Sequence, residues 1–85
     1  MSKNNPLGLL EKSGLQDIGF SFSLMSEQEG VIAIEIRVDG GMVMVVAIDP
    51  KARIARYLKI GSNHKAREKA IAVLNNSYDI ECLNP

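Results

Sequence analysis

Tryptophan is absent, and the aromatic residues are two phenylalanines and two tyrosines in 85 positions. A chain this poor in π-faces has little on which to stack the bases of single-stranded nucleic acid. A single cysteine, Cys82, excludes an internal disulfide and a multi-cysteine metal site, and it fits a reducing compartment. A single histidine, His64, with scattered carboxylates leaves any metal site short of ligands. No apolar stretch approaches the length of a membrane span, and no basic segment leads into an apolar run at the start. These absences set the expectation of a soluble, cytoplasmic protein. The P-loop, the dinucleotide-binding glycine pattern and the nucleophile elbow are missing too. Asp39 and Asp49 both fall in turn signals, where Asp is favoured for turn reasons, so they do not read as a catalytic pair. The sequence therefore points away from an enzyme and implies no cofactor, no metal and no small-molecule substrate. The sequon Asn75-Asn76-Ser77 is expected to be idle in an unexported chain.

What is present is an ordinary globular composition, 46% apolar, in one domain close to the size at which a single core becomes marginal. The net charge of zero conceals an asymmetry. Residues 1–49 hold three basic and seven acidic residues. Residues 50–70 hold seven basic residues against Glu68 alone. A basic block in a neutral domain is a surface for an anionic partner or a solvated face that maintains solubility.

Element signals are readable along most of the chain. Asn5 as N-cap, Pro6 at the first helical position and Gly14 as C-cap predict a short helix, with residues 1–4 disordered ahead of it. Ile18, Phe20, Phe22 and Leu24 alternate with Gly19, Ser21, Ser23 and Met25, the pattern of a strand with one wet face. A polar turn at residues 26–30 leads to a second strand at 31–38. The segment Asp39-Gly40-Gly41 is a hairpin signal with two readings. A two-residue loop sets Ile36 beside Val43 or Val45. A three-residue loop with Gly41 left-handed sets Val38, Ile36 and Ile34 opposite Met42, Met44 and Val46, and is preferred because it gathers the bulky side chains on one face. After Pro50 a fourth strand, 52–60, sets Ile54, Leu58 and Ile60 on a face with Arg56, and Arg53, Ala55, Tyr57 and Lys59 on the other. Arg56 conflicts with its core-like neighbours, which suggests an edge strand with a snorkelling side chain, a bulge, or a buried partner. Ala66, Ala70, Ile71, Val73 and Leu74 share one arc of a helix over 63–75, capped by Ser62 or Asn63. Tyr78, Ile80 and Cys82 alternate as a closing strand, which makes Cys82 a core residue rather than a nucleophile. The expectation is a single α+β domain over residues 1–85, an antiparallel meander of four to five strands on one main helix, in the order α-β-β-β-β-α-β.

Seven consecutive apolar residues, Met42–Ile48, leave no polar face on the third strand. One helix covers one side of a sheet, so Val31, Ala33, Val43, Val45, Ala47, Ala55 and Tyr57 would line a second apolar face, rimmed by Glu35, Arg37, Arg53 and Lys59. Rimmed apolar patches mark interfaces. The alternative is that the N-terminal helix, through Leu7, Leu9 and Leu10, folds across this face and completes a two-sided core. The segment GSNHKAREKA adds a second feature. His64, Lys65 and Arg67 stand at the positive end of a helix macrodipole, where acidic residues are preferred by about 0.3–1 kcal/mol each. With Lys59, Ser62, Asn63 and Lys69 they form a candidate anion or nucleic-acid contact.

The stretches NPLGLLEK, FSLMSEQEG, IRVDG and SNHKAREKA resemble, loosely and in the same order, double-stranded-RNA-binding domains. That resemblance implies a helix, three antiparallel strands and a closing helix whose cationic N-terminus contacts phosphates. The sequence departs from the pattern in several places. The Gly-Pro-x-His loop is missing, the paired lysines survive only as HKAREKA, the first helix is short, and the strand at 52–60 has no counterpart. The leading functional expectation is a non-enzymatic protein-binding module of inhibitor or adaptor type, as in phage- or plasmid-borne antagonists of a host machine. It would act through Arg37, Val43, Val45, Ala47, Arg53 and Tyr57. A nucleic-acid binder using the basic block 51–69 and a homodimer joined through the sheet face are the alternatives.

Overall fold

A computed structural model of the chain describes residues 6–78 and 81–83. Helix α1 (Pro6–Lys12) runs into a 3₁₀ turn (Leu15–Ile18). Strands β1 (Phe20–Gln28), β2 (Val31–Val38), β3 (Gly41–Asp49) and β4 (Ile54–Ile60) come next, then helix α2 (His64–Tyr78) and strand β5 (Glu81–Leu83). The sheet order is β1-β2-β3-β4-β5. The first four strands pair antiparallel, whereas β5 returns through α2 to pair parallel with β4. The α+β meander read from the sequence is thus present. The expected disorder of residues 1–4 and the expected N-cap at Asn5 lie outside the described residues.

Two of the hairpins turn on two residues with positive φ, Glu29-Gly30 (53° and 85°) and Asp39-Gly40 (49° and 83°). This is the turn whose twist matches paired strands. The second replaces the expected three-residue loop: Val38 pairs with Gly41, and Gly41 is not left-handed. The expected register nevertheless survives further along. One extra residue, Val43, bulges from β3, so that Ile36 pairs with Met44 and Ile34 with Val46. A bulge places its two residues against one partner, and here it sends both Val43 and Met44 into the core, each fully buried. Val43 therefore does not lie on the second sheet face.

The same correction applies to β4. Its register with β3 sets Tyr57 opposite Val46 and Ala55 opposite Ile48, with Leu58 as the extra residue. Ala55 is fully buried and Tyr57 packs against the core cluster, while Leu58 is 58% exposed. Arg56 is exposed beside Ala47 on the other face. The conflict at Arg56 disappears once the parity of the strand is reversed. Arg53 precedes the strand, in the turn, with φ 59°. Ile18, expected inside, belongs to the 3₁₀ turn and is 52% exposed.

A single core cluster lies on one side of the sheet. Phe20, Phe22, Ile34, Ile36, Met44, Val46 and Ile48 meet Leu10 and Leu15 from the N-terminal segment and Ala66, Ala70 and Leu74 from α2. The geometry explains why both helices are used there. Five strands at about 4.8 Å spacing span roughly 19 Å, and a helix with its side chains is about 10–12 Å across. α2 packs against β3 and β5, and α1 packs against β1 and α2. Leu10, with no exposure, adds about 1.5–3 kcal/mol by that burial. The N-terminal helix is spent on the core side, so it does not cover the second face.

Candidate interaction surface

The strand register builds the uncovered face row by row. One row runs Ser23, Glu35, Val45, Lys59, and the next runs Ser26, Ala33, Ala47, Arg56. Small side chains in the middle and long ones on β4 leave two adjoining hollows of about 300 and 290 Å³. Val31 and Ala47 line both; Ala33 and Leu58 border the first, Ile54 and Arg56 the second. Val45 and Ala33 are each 8% exposed, yet neither belongs to the core cluster; neighbours on their own face shield them. The hollows reach the lower end of the volume range of small-ligand clefts, but they open along a sheet surface.

The charges on this face are uneven. Arg37 Nη1 donates to Glu35 Oε2 at 3.3 Å and Nη2 to Gly40 O at 2.6 Å, so that pair is internally satisfied. Asp49 Oδ1 accepts from the backbone N–H groups of Lys51 and Ala52, at 3.1 and 3.2 Å, which fixes the turn before β4. Among the described residues Arg56 and Lys59 have no carboxylate partner. The β4 margin of the face is therefore cationic. Of the expected contact residues, Val45, Ala47 and Arg37 are on this face, together with Lys59 from the anion set. Val43 and Tyr57 are on the core side, and Arg53 is in the turn.

The basic segment at the start of α2 is organised locally. Asn63 is the N-cap: its Oδ1 accepts from Ala66 N–H at 3.1 Å. Arg67 folds back, donating through Nη1 to Gly61 O at 3.1 Å and through Nη2 to His64 Nδ1 at 2.6 Å. The other ring nitrogen of His64, Nε2, lies 3.1 Å from Glu68 Oε2. This chain of contacts ties down Arg67, which is held by a backbone carbonyl, while the first turn of α2 itself carries no acidic residue to answer the macrodipole. Two donors of Arg67 and the side-chain oxygen of Asn63 are thus engaged locally, while Lys65 and Lys69 are exposed on the helix and Ser62 ahead of it. Lys59 is separated from them on the sheet. Of the expected anion set, the residues from Ser62 to Lys69 lie at the start of α2, and Lys59 lies beside Val45 on the open face.

Sequence reasoning missed Ile54, Arg56 and Leu58 as surface components. The signal was present in Arg56 itself, since directing its charge outward forces Ala55 and Tyr57 inward. Among the described residues no three His, Cys, Asp or Glu side chains gather to hold a metal ion, and no helix is long and apolar enough to cross a membrane. No protein-family model, no curated protein and no solved structure matches the chain. The loose likeness to double-stranded-RNA-binding domains has no support from these comparisons. The fold departs from that pattern as well, with a fourth antiparallel strand before α2 and a parallel fifth after it.

Proposed function

We propose that this is a non-enzymatic, cytoplasmic protein-binding module that docks another protein on the open face of its sheet. One observation carries the reading. Both helices pack on the same side, and the opposite side presents Val31, Ala47, Ile54 and Leu58 around the shielded Ala33 and Val45, with no element of the described chain over them. Apolar patches framed by polar residues are the usual form of an interaction surface. Arg56 and Lys59, without a carboxylate partner among the described residues, favour a partner segment that pairs aliphatic side chains with carboxylates. Hot spots at the patch centre would supply affinity and the rim charges the encounter rate. An inhibitor or adaptor works in this way, by occupying a surface.

A peptide-display selection against the folded protein tests the proposal. Binders should be enriched in aliphatic residues next to Asp or Glu, and Ala47→Glu should remove their binding by filling both hollows and opposing the partner's charge. Selected peptides that bind the Ala47→Glu variant as well as the native chain would overturn it, as would a selection dominated by basic sequences.

A further inference from the structure

β1 is one edge of the sheet, and its pairing shows which backbone groups face outward. In an antiparallel pair, successive residues direct their N–H and C=O alternately toward and away from the neighbouring strand. Asp39 N–H donates to Gly19 O at 3.2 Å, so Gly19 faces β2. Ser21 and Ser23, paired with Arg37 and Glu35, face it by the same alternation. Phe20, Phe22 and Leu24 therefore turn their backbone groups to the open edge. Among the described residues no backbone bond from a turn, loop or cap engages them.

The segment FSFSL reads the same in polarity from both ends. Phe20, Phe22 and Leu24 share the side of Ile36 and Ile34, and Ser21 and Ser23 share the other. It contains no charge and no proline, two of the usual devices that keep edge strands from pairing. The bulge at Met25 ends the regular edge. Leu24 and Met25 are 49% and 57% exposed there, with Ile18 just ahead at 52%. Such exposure is costly for side chains of this size in water.

We propose that a second copy of this chain pairs antiparallel with β1 about a two-fold axis through Phe22. Phe22 then faces Phe22 of the second copy, Phe20 faces its Leu24, and Ser21 faces its Ser23. This axis sets outward-facing backbone groups opposite one another along the whole alternation between Gly19 and the bulge. A one-residue shift would set outward groups against inward ones, and a two-residue shift would leave one end unpaired or meet the bulge. Each Leu24 gains apolar cover, and the two sheets join into one. An interface of this kind is isologous and closed. It is independent of the open-face reading, and it would place the two open faces side by side.

The test uses the full chain. Light scattering over a concentration series should show the mass rising from 9.3 kDa toward twice that value in the micromolar range. Leu24→Lys should raise the dimer dissociation constant at least tenfold. In a Cys82→Ser background, a mixture of Ser21→Cys and Ser23→Cys chains should oxidise to a disulfide dimer, because residues facing each other at such a non-hydrogen-bonded position have Cα atoms about 4.5 Å apart. Either variant alone should not. A mass that stays monomeric at several hundred micromolar overturns the proposal. So does cross-linking that is as fast in Ser21→Cys alone as in the mixture. If Leu24→Lys fails to fold, the serine variants, both at exposed positions, still decide the register.

Discussion

Replacing Gly61 by alanine tests how β4 is locked to β3 before the chain enters α2. An added Cβ would lie 2.0 Å from Met42 O and 3.0 Å from Val43 O, both backbone atoms. Relief therefore requires movement of at least about 1 Å in a strand already held on its other side by β2, with no flexible side chain to give way. Overpacking of this kind costs about 1–3 kcal/mol. The shift would also strain the 2.8 Å bond from Gly61 N–H to Val43 O, at a further 0.5–1.5 kcal/mol or so. The sum is roughly 1.5–4.5 kcal/mol, and for a domain of this length each kcal/mol moves Tm by about 4–8 °C. The midpoint of thermal unfolding, measured by circular dichroism, should fall by at least ~6 °C. Gly14→Ala provides the comparison. Its φ of +88° carries a conformational cost, but nothing lies within 4 Å of the added atom, so its penalty is about 1–2 kcal/mol. A Gly61→Ala protein that melts within about 2 °C of the native chain would rule out the close approach of β4 to the Val43 bulge.

Two further substitutions probe other parts of the fold. Removing the Asn63 cap as Asn63→Ala should cost about 1 kcal/mol in a denaturant titration, while Asn63→Asp should retain most of it, since either side chain can accept from Ala66 N–H. Val46→Lys should leave no folded population by circular dichroism, because a charge would be buried without a partner in the core. Val45→Lys should stay folded and lose only about 1–2 kcal/mol, its ammonium reaching water along the open face. Equal losses for the two variants would mean that the faces of β3 have been assigned wrongly.

Much of this architecture was legible because one physical signal dominated each element. Strict alternation marked Phe20–Leu24, and helical spacing marked Ala66, Ala70 and Leu74. Asp39-Gly40 and Asn63 announced a turn and a cap through their own hydrogen-bonding chemistry. The misassigned strand faces share one cause. Bulges at Met25, Val43 and Leu58 each insert a residue and reverse the parity of the strand beyond it, and a two-residue period shows them only where it is visibly broken, as at Arg56. For that reason Val43 and Tyr57 face the core rather than the open side, and Leu58 is exposed rather than core. The run Met42–Ile48 is apolar throughout because the bulge turns two neighbours inward while the open face keeps Val45 and Ala47. The basic segment departs from its sequence pattern for a different reason. Composition displays the cations, but the folding back of Arg67 onto Gly61 O depends on how β4 leads into α2.

The open face exists only if the helices cover a single side of the sheet. A neutral paramagnetic chelate added to the methyl-labelled protein probes this cover through NMR relaxation. The methyl signals of Val31, Ala47, Ile54 and Leu58 should broaden strongly, while those of Leu10, Val43, Val46 and Ile48 stay sharp. Val31 and Ala47 signals protected as well as those of Val46 would be incompatible with one-sided cover, because something would then lie over Val45 and its neighbours.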